Sequence, residues 1–299
     1  MNKKLFFGVI SAVLLFSVYV LLDTFVLTTV YGTAKTETTV TAGAAEASAP
    51  EAARETVITG TGYDDGTVSI TLTETDYLDT AVYVAKVVSS DPARLATALA
   101  KGLYGKNVTD ETSGIAADAG AILAINGDFY GAREAGYVLR NGILYRATAV
   151  KGREDLVIFE DGHFEIITET DVTAEALLAR GARQILSFGP ALVENGAIAV
   201  SAGEEVGRAM ASNPRTAIGI DGDGNWVFVV SDGRTDESEG LTLSELAAFM
   251  KDLGCVTAYN LDGGGSSTMV FNGVVINQPT TSGRSVKERS VSDIVCITA

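Results

Sequence analysis

The chain has one histidine (His163), two cysteines (Cys255 and Cys296) and few cations, 22 Lys plus Arg against 38 Asp plus Glu, for a net charge of −16. Each shortage excludes something. A zinc site of the usual His/Cys kind lacks its ligands. A Ser-His-Asp triad would have to use His163, which follows Asp161-Gly162 in a hairpin pattern and reads as a solvent-facing strand residue. Two distant cysteines are compatible with one disulfide but fix no pairing, and two buried free thiols are the preferred reading. A nucleic-acid binder would carry a basic footprint, and this chain is acidic. What is present is bulk: 299 residues, 46% of them hydrophobic, enough for one large core.

Two lysines precede residues 5–22, eighteen positions without a charge; after Asp23 the chain is apolar again to Tyr31 apart from threonines. That length predicts a membrane-spanning signal anchor over residues 5–31. The leading lysines place residues 1–4 in the cytoplasm and the bulk of the chain outside it. A signal peptide cleaved after Ala34 is the alternative. Residues 32–55, rich in Ala, Thr and Glu, read as a flexible linker, and residues 56–299 as the folded domain.

Within that domain strands dominate. Residues 68–75 and 81–88 have strand patterns, and Asp91-Pro92 predicts a short helix running to about Lys101. Asn141-Gly142, Asp161-Gly162, Asn195-Gly196 and Asn272-Gly273 each separate apolar runs and predict type I′ hairpin turns. Helices are expected over 173–180 and 243–253, the second opened by a Thr242/Glu245 capping box. Its Leu243, Leu246, Ala247 and Met250 share one face. The fold class is therefore α+β, a single domain of largely antiparallel sheet with a few helices, preceded by the transmembrane helix.

The densest chemistry follows the apolar run ending at Leu261: Asp262, Gly263, Gly264 and Gly265, then Ser266, Ser267 and Thr268, with Asn260 just before. Three glycines permit positive φ and close approach of a ligand to backbone N–H groups. Further polar clusters lie at strand ends: Asn126 and Asp128, then Arg215 and Thr216 after Asn213-Pro214, then Asp232 and Arg234, then Arg289. Arginine forks with a glycine nest suit an oxyanion such as phosphate. Carboxylates beside them suit sugar hydroxyls, acid–base work or a divalent cation such as calcium.

The order of these blocks carries a resemblance. Asn126-Gly127 with Tyr130, Gly189-Pro190-Ala191-Leu192, Asn213-Pro214-Arg215-Thr216-Ala217 and Asp232-Gly233-Arg234 come first. Gly240-Leu241-Thr242, the block from Asn260 to Thr268, and Glu288-Arg289 follow. Over residues 115–297 the chain resembles the phosphodiester glycosidase family. It departs from the family pattern at Asp128, where glycine is frequent. The resemblance implies hydrolysis of a sugar-1-phosphodiester of the N-acetylglucosamine-1-phosphate type, acting on a cell-surface glycan or in an exopolysaccharide setting. No cofactor is assigned, and a divalent cation such as calcium stays open. Asp262, then Asp232, then Asp128 are the candidate catalytic carboxylates. Asn126, Arg215, Thr216, Arg234, Asn260, Gly263, Gly264, Gly265, Ser266, Ser267 and Arg289 are the candidate substrate contacts. Two other readings stay open: a non-catalytic module binding a cell-wall phosphosugar polymer, and a calcium-dependent structural site around Asp262 and Asp232.

Overall fold

The computed structural model describes residues 3–33, 56–200 and 212–298. Its strand pairings are antiparallel. A nine-stranded central sheet has Cys255–Asn260, Arg215–Asp221, Trp226–Ser231, Ala81–Ser89 and Val68–Asp76 side by side. A second, five-stranded sheet contains Met269–Phe271, Ala121–Asn126, Asp293–Thr298 and Leu95–Leu99 as neighbours. A third, also five-stranded, is built around Val138–Arg140, Ala182–Leu186 and Glu154–Phe159.

The period of two along each strand decides which layer a residue enters. Trp226, Phe228 and Val230 join Leu123, Ile125, Leu156 and Ile158 in a core shared by all three sheets. Val227 and Val229 face the other way, under the helix Leu243–Asp252, whose Leu243, Leu246, Ala247 and Met250 are fully buried. That helix carries the expected capping box. The second and third sheets are backed in the same manner by Thr112–Asp118 and Ala174–Ala179. Largely antiparallel sheet with few helices is thus what the chain forms. Both cysteines are buried and free.

Several local expectations are corrected. The helix expected from Asp91 to Lys101 is a 3-10 turn, Pro92–Arg94, followed by the strand Leu95–Leu99. Asp91 does cap the turn, accepting from the Ala93 amide at 3.0 Å. But Leu95, Thr97 and Leu99 alternate into the interior and pair with Asp293–Thr298, which overrides the local signal. Asn141-Gly142, Asn195-Gly196 and Asn272-Gly273 have positive φ at both positions, as a type I′ turn requires, whereas at Asp161-Gly162 only the glycine does. His163 is half exposed, stacked on Phe159.

The N-terminal helix spans Lys3–Phe25 and exposes Val13, Leu14, Leu15 and Phe16. Among the described residues no helix is long and apolar enough to cross a membrane. Nor is the expected span, 5–31, one element. Residues Thr29–Thr33, with β-branched threonines and a valine, form a strand paired with Leu103–Lys106. From residue 34 to 55 the expected linker lies outside the described residues.

Candidate active site

Residues 261–268 leave the central sheet after Asn260 and enter the second sheet at Met269, so the polar block spans the seam between two sheets. Two backbone bonds hold its start: the Leu261 amide donates to the Thr216 carbonyl at 2.8 Å, and the Asp262 amide to Gly127 at 3.2 Å. Asn126, fully buried, ties the seam from below. Its Nδ2 donates to the Asp262 carbonyl at 2.6 Å, and its Oδ1 accepts from Thr216 Oγ1 at 2.8 Å and the Thr268 amide at 3.3 Å. Asn260 Nδ2 donates to the Gly189 carbonyl at 2.7 Å, beside the cis Gly189–Pro190 bond. Asn126, Thr216 and Asn260 therefore lie beneath the surface as supports, where a lost partner leaves a buried polar group unpaired at a cost of about 1–3 kcal/mol.

The three glycines are needed for crowding. A Cβ on Gly263 would lie 2.8 Å from the Pro214 carbonyl oxygen, and one on Gly264, at φ +62°, 2.8 Å from Arg234 Nη2. One on Gly265 would collide with Thr281. The expected nest of bare N–H groups is only partly available, because the Gly264 amide donates to the Pro214 carbonyl at 2.8 Å. Ser267 is buried behind this turn, and Asn277 Nδ2 donates to its carbonyl at 3.0 Å.

Above the turn, Asp262, Gly263, Gly264, Arg215, Arg234 and Arg289 line one cleft of about 160 Å³, with Asn213, Leu261 and Phe188 completing it. Arg215 is buried, with Nε donating to the Leu241 carbonyl at 2.7 Å. Arg234 donates Nε and Nη2 to Asn213 Oδ1 at 3.1 and 2.9 Å, and Nη1 to the Thr281 carbonyl at 2.6 Å. Arg289 Nη2 reaches Asp262 Oδ2 at 2.9 Å and Ser266 Oγ at 2.6 Å, while Ser266 Oγ donates to the same Asp262 oxygen at 2.7 Å. Asp262 is 8% exposed. Burial raises its pKa above the ordinary carboxylate value, and the Arg289 cation and the Ser266 hydroxyl pull it back. One carboxylate thus shares a small cleft with three guanidinium groups.

The other two candidate acids stand elsewhere. Asp232 lines a larger neighbouring cleft, where Oδ1 accepts from the Gln278 amide at 2.9 Å and Asn277 Nδ2 at 3.1 Å, and Oδ2 from the Tyr83 hydroxyl at 3.3 Å. Asp128 is 0% exposed, in a core ion-pair network. Arg140 Nη2 lies 2.8 Å from its Oδ2, and Arg140 Nε donates to Asp293 Oδ2 at 2.8 Å. Burial opposes the charge on both acids; Arg140 outweighs it and holds Asp128 low, while Asp293 is pushed up to about 7. The non-glycine at position 128 thus belongs to this network, which pins residues 127–130 beneath Asp262. Asp262 and Asp232 line different clefts. Among the described residues, no three His, Cys, Asp or Glu side chains group around a common point. Arg140, Asp293, Asn277 and Phe188 are absent from the sequence-based site. The available signal was charge inside apolar strands, at Val138-Leu139-Arg140 and at the start of Asp293–Thr298.

The family profile described as phosphodiester glycosidase matches residues 119–298. The SPbeta prophage-derived uncharacterized protein YomE of Bacillus subtilis is 32% identical over 165 residues, 54% of this chain and 25% of that protein. The N-acetylglucosamine-1-phosphodiester alpha-N-acetylglucosaminidase of Mus musculus is 41% identical over 86 residues, 28% of this chain and 16% of the mouse protein. The chain thus spans a quarter or less of the length of these two relatives. Among solved structures, the zebrafish catalytic domain of that glucosaminidase, auto-inhibited by its pro-peptide, has a TM-score of 0.61 at 22% identity. The match covers 78% of this chain and 83% of that one, and shows a shared fold. A hypothetical protein from Synechocystis has a TM-score of 0.54 at 16% identity, over 77% of this chain and 62% of that one. With a family match running over more than half its length, this chain belongs to the phosphodiester glycosidase family.

Proposed function

We propose that the chain hydrolyses the bond between the anomeric carbon of a sugar and a phosphodiester, with N-acetylglucosamine as the sugar type. The observation that carries this reading is a buried carboxylate, Asp262, facing a cleft whose other charged groups among the described residues are Arg215, Arg234 and Arg289. Cleavage breaks the C1–O bond, and the electron pair leaves with the phosphate oxygen as a phosphomonoester. Negative charge grows on phosphate while positive charge grows at C1. Preorganised guanidinium groups stabilise the first and a carboxylate stabilises the second, without reorganisation during the step. Ser266 and Arg289 both address Asp262 Oδ2, which orients the carboxylate at the cleft. Asp262 then serves as nucleophile, or as base taking a proton from the water that ends on C1.

Arginine planarity matters here, because a fork meets two phosphate oxygens at once. Arg215→Lys and Arg234→Lys keep charge and lose the fork, so kcat/KM should fall at least about tenfold in each. Unchanged activity in both would place the anion elsewhere. Release of free sugar and phosphomonoester from a synthetic sugar-1-phosphodiester tests the reaction itself. Binding without turnover would point instead to a module that holds a phosphosugar polymer.

Placement outside the cytoplasm, on a cell-envelope or exopolysaccharide glycan, is part of the same proposal. Its support is the uncharged run 5–22 behind two lysines, and apolar side chains exposed on several sides of the helix Lys3–Phe25. The full-length protein should resist alkaline carbonate extraction from membranes. A mature chain beginning near Lys35 would show cleavage instead.

A further inference from the structure

Arg234 lines two clefts. One is the Asp262 cleft; the other, of about 490 Å³, opens on its far side between residues 232–238 and 278–286. The wall between them is closely built. Arg234 has φ +65°, its amide donates to the Glu239 carbonyl at 3.1 Å, and its guanidinium is tied to Asn213 and Thr281. Gly283 packs against the Arg234 carbonyl so closely that a Cβ there would collide. A phosphodiester held at Arg234 therefore has room on both sides: the smaller cleft for the ring that meets Asp262, the larger for whatever the phosphate's other oxygen carries.

We propose that the larger cleft is the subsite for the leaving alcohol, and that it selects a neutral, hydroxyl-rich group of glycerol or sugar type. This rests on the reaction proposed above. The lining supports the choice on three counts. Asp232, Asp236 and Glu237 give it three carboxylates against Arg234 and Arg284, so a second phosphate beyond the scissile one meets repulsion. Gln278, Thr280 and their polar neighbours offer hydrogen bonds of the kind hydroxyls use. Among the described residues, Ala81 and Val286 are its only apolar side chains and no aromatic residue lines it, so these residues give an acyl chain no surface to cover and a nucleobase no ring to stack on.

The test is a ratio measured on the full chain. Its probes are N-acetylglucosamine-1-phosphoglycerol and uridine diphosphate N-acetylglucosamine, which share the sugar and differ in the leaving group. The wild type should favour the phosphoglycerol compound by at least about tenfold in kcat/KM at low salt, where surface charges are least screened. The double variant Asp236→Asn, Glu237→Gln leaves the Asp262 cleft intact and should narrow that preference at least about threefold, mainly by accepting the diphosphate better. A second variant, Val286→Trp, partly fills the cleft. It should depress the phosphoglycerol reaction more than that of the methyl phosphodiester, whose leaving group is too small to reach it. Turnover of both probes with the same ratio in wild type and double variant, and equal effects of Val286→Trp on both phosphodiesters, would overturn the subsite while leaving the hydrolysis standing. No turnover of any probe by the wild type would remove the proposed reaction, and the subsite with it.

Discussion

Asp262 differs from the other buried acids in what surrounds it. Asp128 is neutralised by Arg140 inside the core, and Asp232 is filled by amide and hydroxyl donors. Asp262 pairs with Arg289 in a cleft that Arg215 and Arg234 also line, with its ionisation made harder by burial. This gives a pH prediction with a definite sign. Arg289 lowers a pKa that burial has raised, so Arg289→Gln should raise it further. If the ionised carboxylate is the working form, the acid limb of the pH profile of kcat/KM moves to higher pH in the variant. A limb that stays in place would show that another group sets it. Asp155 permits a separate test on stability. Burial and the neighbouring Glu169 push it up to about 9 from 3.8, and both its oxygens lack a hydrogen-bond partner among the described residues. Between those two values the native state keeps a proton that the unfolded chain has released. Stability should therefore fall as pH rises through that window, by up to about 1.4 kcal/mol per pH unit from this group. Asp155→Asn should melt higher than wild type at pH 8 and alike near pH 4, and a variant with unchanged pH dependence would contradict this.

At the scale of elements, residues 261–268 act as a strap across two sheets, and their glycines are set by what presses on them. Gly264→Ala combines a positive φ with a Cβ against Arg234 Nη2. It should cost about 1–2 kcal/mol of stability but displace Arg234, so activity falls further than the melting temperature suggests. Activity near wild type with a lowered melting temperature would mean that Arg234 is not needed where it stands. The strap was legible beforehand because its signal is local, an apolar run meeting Asp, Gly and Ser. The helix Leu243–Asp252 was legible for the same reason, from its capping box and its 3.6-residue apolar face. Leu95–Leu99 was not, because its strand character comes from Asp293–Thr298, about two-thirds of the chain away. Nor was the Asp128–Arg140–Asp293 network, since which buried charges meet depends on sheets closing over one another.

For the whole molecule, three sheets pack around one core, each backed by a helix, and the site lies where two of them meet. That geometry reconciles an anion-binding cleft with a net charge of −16. The arginines act at close range in a small cleft, while the bulk of the surface repels polyanions. The fold class followed from recurring hairpin turns; the division of the acids between two clefts and a core pair could not, because it arises only when Ala121–Asn126, Arg215–Asp221 and Cys255–Asn260 end at one seam. The central claim is that Asp262 is the carboxylate that meets the anomeric carbon. The direct measurement is steady-state hydrolysis of a sugar-1-phosphodiester by wild type and Asp262→Asn, with a melting curve of each. Asparagine preserves the shape and removes the charge, so turnover should fall about a thousandfold or more while the melting temperature changes by only a few degrees. Near-native turnover by the asparagine variant would contradict the assignment.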